Sequence, residues 1–84
     1  MNLCKFLFIP FNLIVFFDHA VKILDLANLS NSVYTATTQI KVMQVLFHSD
    51  DASSKLFILS GSVMIFLQIG STDGAISEIV GLAP

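Results

Sequence analysis

At 84 residues, 55% hydrophobic and 12% charged, the chain amounts to one small domain or a piece of one. So much apolar and so little charged sequence excludes intrinsic disorder. A net charge of −2 with four lysines and no arginine excludes a basic nucleic-acid footprint, and a single cysteine excludes an internal disulfide.

Leu3–Phe17 (LCKFLFIPFNLIVFF) is almost wholly apolar, broken by Lys5, Pro10 and Asn12 and ended by Asp18 and His19. As a helix these residues would span about 22 Å, short of the roughly 30 Å bilayer core. Extension would carry Asp18, Lys22 and Asp25 into hydrocarbon at about 2.5–3.5 kcal/mol each. A clean transmembrane span is therefore disfavoured. A signal peptide would take Lys5 as its basic region and Phe6–Phe17 as its apolar region, but Asp18 stands where a small residue belongs before cleavage after Ala20. The alternatives are a buried core segment or a sequence that never evolved to fold. Cys4 reads as a small buried hydrophobe rather than a palmitoylation site. Asn28-Leu29-Ser30 is a glycosylation triplet with meaning only in a secretory lumen.

Ala20–Leu29 places Val21, Leu24 and Leu29 near one helical face, which predicts one to two turns of helix ending near Asn28–Asn31. Ser30–Thr38 suits a loop or a sheet edge. Gln39–Phe47 (QIKVMQVLF) has strand chemistry. His48–Lys55 is polar and reads as a loop. Asp50 and Asp51 within it would point to opposite faces of an extended backbone, so they read as a solvated turn rather than a catalytic or metal pair. Leu56–Ile69 reads as two strands bent at Ser60-Gly61-Ser62, because glycine weakens a helix interior by about 1 kcal/mol and permits a tight bend. Ser71–Gly74 is a turn, Ala75–Val80 one more strand, and Gly81–Pro84 loop chemistry. The C-terminal half is thus an antiparallel meander.

Chemistry-bearing motifs are sparse. His19 and His48 are the only histidines, 29 residues apart, and the three or four ligands that a zinc site needs do not assemble around them. No G-x-S-x-G elbow occurs. Gly70–Gly74 lacks the Lys-Ser/Thr of a phosphate loop. No catalytic, metal or cofactor residue is expected, and the chain does not read as an enzyme.

Val45-Leu46-Phe47, Ser49-Asp50-Asp51, Leu56-Phe57-Ile58-Leu59, Ser60-Gly61-Ser62-Val63, Met64–Gln68 and Asp73-Gly74 follow one another in an order that resembles the front half of a cyclic nucleotide-binding domain, over about residues 45–84. The resemblance implies a regulatory module built on a β-roll. An aspartate replaces the usual loop glycine, and the Leu-to-Gly stretch is one residue shorter than typical. That family holds the nucleotide phosphate with a Phe-Gly-Glu cassette and an arginine just beyond this region. Neither is present, so no binding residue carries over, and the resemblance implies cyclic nucleotide binding only in a longer parent chain. Lys5-Phe6-Leu7, Phe11-Asn12 and Ile14, with Gly61, Met64, Gly74-Ala75-Ile76 and Glu78, resemble the first two transmembrane segments of tetraspanins. That second resemblance implies a small two-segment membrane protein. The family's cysteine pair before Gly74-Ala75 is replaced by Thr72-Asp73.

The expected architecture is mainly β. It comprises a partial antiparallel, jelly-roll-like β-roll over 39–84, an apolar N-terminal helix or segment over 1–19, and a short helix and linker over 20–38. The strands that would cover Ile58, Val63, Ile65 and Leu67 are expected to be missing. Expected partners are a second copy by self-association, membrane contact through Leu3–Phe17, and no nucleic acid. The expected location is the cytoplasm, with membrane association.

Overall fold

The computed structural model describes residues 3–42 and 44–82, and among them the chain is mainly β, with no helix. β1 (Leu3–Ile9), β2 (Asn12–Phe17), β3 (Ala20–Asp25) and β4 (Asn28–Thr37) form one antiparallel sheet in that order. β5 (Gln44–Ser49), β6 (Ser53–Ser60), β7 (Val63–Gly70) and β8 (Ile76–Leu82) form a second. Each sheet is a meander of consecutive strands.

Neither expected N-terminal helix forms. Leu3–Phe17 is a hairpin, and its two central turn residues explain why. Pro10 lacks an N–H and fixes its own φ, so it fits between Ile9 and its cross-strand partner Asn12 better than inside a helix. Phe11 follows at φ 71°, the position that glycine usually takes in a type II turn. Asn12, Ile14 and Phe16 of β2 are buried while Leu13, Val15 and Phe17 are half-buried, the period of two that a strand imposes. Ala20–Leu29 is likewise corrected from helix to strand and turn. Val21 and Ile23 point into the core opposite Phe16 and Ile14, whereas Leu24 lies on the other face. The Asp25 carboxylate accepts the Ala27 N–H at 2.9 Å and closes the β3–β4 turn.

In the second sheet, β5 starts later than the strand expected from Gln39, and the polar loop after it shrinks to residues 50–52. The bend at Gly61 (φ 58°) and the turn before β8 are present, and β8 runs on through Gly81 to Leu82. Ala83 and Pro84, expected as loop, lie outside the described residues.

One core joins the sheets. Ile9, Ile14, Phe16, Val21 and Ile23 of the first pack with Leu56, Ile58, Ile65, Leu67 and Ile69 of the second. Of the residues expected to lack cover, Ile58, Ile65 and Leu67 receive it from the N-terminal half, whereas Val63 at the start of β7 is exposed. Residues 38–42 cross between the sheets as a strap over one end of the sandwich. The Thr38 N–H donates to the His19 carbonyl at 2.8 Å and the Val42 N–H to the Asp18 carbonyl at 2.9 Å. Ser60 donates its hydroxyl to the Ile40 carbonyl, and Lys41 lies 3.9 Å from the Asp18 carboxylate.

Candidate functional site

Alternation along β5 to β8 turns one set of side chains to the core and the other outward. Register then aligns the outward set in rows. Leu46 pairs with Phe57, Phe57 with Phe66, and Phe66 with Ile79, so one apolar row crosses all four strands. Leu46 is 57% exposed, Phe57 38% and Ile79 64%. The two central rings stack, with centroids 4.4 Å apart and planes inclined by 20°. On one side of this row lie Gln44, Leu59, Met64 and Gly81; on the other lie His48, Lys55, Gln68 and Ser77. Sequence reading assigned these strands but not the rows, because a row needs the register of three strand pairs.

The outward face of the first sheet is less uniform. Phe6, Val15, Lys22 and Thr35 form one of its rows, with a lysine in the interior. Phe6 and Phe8 are exposed on β1 and meet edge to face, centroids 5.8 Å apart.

A cleft of about 530 Å³ opens where β4 and β8 face each other under the strap. Its polar lining includes Thr37, Thr38, Gln39, Ser60, Ser62 and Glu78, and its apolar wall includes Ile65 and Val80. Tyr34 donates its hydroxyl to the Glu78 carboxylate beside the cleft. Burial, together with that carboxylate, holds the phenol well above its ordinary range. The described lining contains a carboxylate and hydroxyls but no cation, the wrong charge to grip a phosphate.

The residues weighed from sequence do not converge. Asp50 serves its own loop, its carboxylate accepting the N–H groups of Ala52 at 2.8 Å and Ser53 at 2.9 Å. Those bonds, Ser53's first, hold its carboxyl below the usual range, helped by Lys55 at 3.8 Å. His19 sits in the β2–β3 turn and His48 on the outward face of β5. Among the described residues no group of three or more His, Cys, Asp or Glu could hold a metal ion. Asn28 lies exposed at the start of β4, its amide oxygen accepting from the Ser30 hydroxyl at 2.7 Å. Gly70–Gly74 forms a turn in which the Gly74 N–H donates to the Gly70 carbonyl at 3.0 Å. The expectation for the Cys4 side chain lies outside the described residues. Among those residues, no helix is long and apolar enough to cross a membrane.

Fold and surface together define a two-sheet β protein whose distinguishing feature is an outward apolar face. No family model, curated protein or solved structure matches the chain.

Proposed function

We propose that the chain is a non-catalytic interaction module that acts by presenting sheet surface to another protein. The observation that carries this reading is the outward row Leu46–Phe57–Phe66–Ile79. Contiguous outward apolar surface marks interaction sites, whereas scattered apolar side chains do not. The Asp50 carboxylate and the Tyr34 hydroxyl are meanwhile engaged in internal hydrogen bonds, which suits structural roles.

A regulatory role of the cyclic-nucleotide kind finds support in the strand and turn order over 45–82 and belongs to a longer parent chain. The finer jelly-roll likeness would need strands exchanged between sheets, and here each sheet takes its strands consecutively. Membrane-surface contact through Leu3–Phe17 is favoured by one observation, the exposed Phe6–Phe8 pair. The location proposed is the cytoplasm.

The test uses the full chain at submicromolar concentration, its fold checked by a cooperative thermal transition. The fluorescent probe ANS is expected to bind the native state, and Phe57→Ser with Phe66→Ser to reduce that binding severalfold. Titration calorimetry with cyclic AMP or cyclic GMP is expected to give no binding heat. A folded chain that ignores the probe, or one that binds either nucleotide at micromolar concentration, overturns the reading.

A further inference from the structure

The central outward row of the second sheet has a property that the row Phe6, Val15, Lys22, Thr35 of the first sheet lacks. In strand order β5 to β8 the central row reads aliphatic, aromatic, aromatic, aliphatic: Leu46, Phe57, Phe66, Ile79. It reads the same in reverse. We propose that this face binds a second copy of the chain, sheet against sheet, about a twofold axis running along the strands between β6 and β7. The proposal rests on the interaction-module reading and names its partner.

Such an axis exchanges β5 with the β8 of the copy and β6 with its β7, leaving each row at its own level. Leu46 then meets Ile79 of the second copy, and Phe57 meets its Phe66. In the flanking row Leu59 meets Met64 of the copy, aliphatic against thioether. In the polar row Lys55 meets Gln68 of the copy and His48 meets its Ser77, so no row opposes like charges. Lys55 is moreover turned to Asp50, with Nζ 3.8 Å from the carboxylate, which leaves its charge at the rim of the contact. An isologous interface demands this self-complementarity.

The same operation on the first sheet fails. Its row Phe6, Val15, Lys22, Thr35, reversed, sets Val15 against Lys22 of the copy and Phe6 against its Thr35. That arrangement buries two ammonium groups against apolar side chains, with no carboxylate in the row to pair with them. The pattern therefore selects one face of the sandwich.

Four strands at about 4.8 Å spacing and three rows give a patch roughly 20 by 20 Å. That is about half the roughly 800 Å² per partner of a standard interface, so a weak, micromolar dimer is expected.

Sedimentation velocity of the full chain from about 1 µM to 1 mM is expected to show a reversible monomer–dimer equilibrium. Leu46→Lys and Ile79→Glu, each at an exposed edge-strand site, are expected to weaken it at least tenfold and leave the thermal transition in place. Mixing the two variants is expected to restore association, because the introduced ammonium of one meets the introduced carboxylate of the other across the interface. Within one chain those positions lie about 14 Å apart, three strand spacings, too far to pair directly. A wild-type chain that stays monomeric to 1 mM overturns the proposal. So does a dimer that survives both substitutions, or a mixture that associates no better than either variant alone. Retained ANS binding by a strictly monomeric wild type would leave the interaction-module reading standing with a different protein as partner. Loss of both would end both.

Discussion

The Tyr34 hydroxyl donates a hydrogen bond to the Glu78 carboxylate and so joins β4 of one sheet to β8 of the other at the open side of the sandwich. The pair closes an edge where apolar packing thins toward the cleft. A neutral donor opposite a carboxylate also couples the contact to the protonation of the phenol.

Tyr34 is the only tyrosine, so ultraviolet absorbance reports its ionisation without interference. Its folded phenol lies above the ordinary value, chiefly through burial and then through Glu78. In alkali the unfolded chain therefore loses this proton first. The contribution to stability is complete below about pH 10, the ordinary phenol value, and falls as pH rises above it. Urea unfolding between pH 8 and 11 should show the decline, and Tyr34→Phe should flatten it while costing about 1 kcal/mol at neutral pH. Glu78→Gln should lower the absorbance midpoint without restoring it fully, because burial remains.

Asp50 works at the opposite end of the pH scale. Its carboxyl is depressed by the Ser53 and Ala52 N–H groups and by Lys55. The stability it confers is present above the unfolded carboxyl value of about 3.9 and is lost as pH falls through the lower folded value. Asp50→Ala should make the acid limb of the stability curve shallower. Asp50→Asn, which keeps an acceptor but has no titrating group, should flatten that limb equally while costing less stability near neutral pH than Asp50→Ala. Urea titrations from pH 2.5 to 6 measure the difference.

At Gly61 the left-handed φ of 58° and a neighbour act together: a Cβ there would stand 2.9 Å from the Ile40 Cδ1 of the strap. Gly61→Ala should cost about 1–2 kcal/mol from backbone strain alone, with the contact adding to it. Ile40→Ala removes the obstructing methyl, so the double variant should lose less than the sum of the singles. Additive losses would mean that the strap and the β6–β7 turn are not in contact.

Phe11 presents the converse. It holds φ 71° with a bulky side chain that is 54% exposed. Phe11→Gly should relieve up to about 1 kcal/mol of strain, less the entropy of a freer unfolded chain. Phe11→Asn should retain much of the gain. Chemical denaturation of the two variants measures both, and a loss in each would show that the Phe11 ring contributes more than its backbone costs.

The two faces of β6 offer the last contrast. Ile58 is fully buried between the sheets, whereas Phe57 faces outward. Ile58→Ala should cost about 2–5 kcal/mol, a large share of a small domain's stability. Phe57→Ser should cost well under that in the monomer.

The C-terminal meander was legible from the residues alone, because its signals are local. Gly61 between two serines, Asp73-Gly74, and the polar run His48–Lys55 each punctuate β-branched and aromatic stretches, though the last proved longer on paper than the turn at 50–52. The residue list also limited the chemistry available: with two histidines 29 positions apart, and Asp50 and Asp51 expected on opposite faces, no metal or catalytic constellation could be assembled from the residues alone. The N-terminal half was illegible for the opposite reason. Leu3–Phe17 is apolar on both faces, so its period of two is erased, and the spacing of Val21 and Leu24 fits a helix turn as well as opposite faces of a strand. Only pairing of β2 with β1 and β3, and burial of Ile14 and Ile23 against Ile58 and Leu67, decided the strands. The apolar row Leu46–Phe57–Phe66–Ile79 likewise came into being through register, for its members are scattered over 34 positions of sequence and become neighbours only when backbone hydrogen bonds fix which residue lies opposite which.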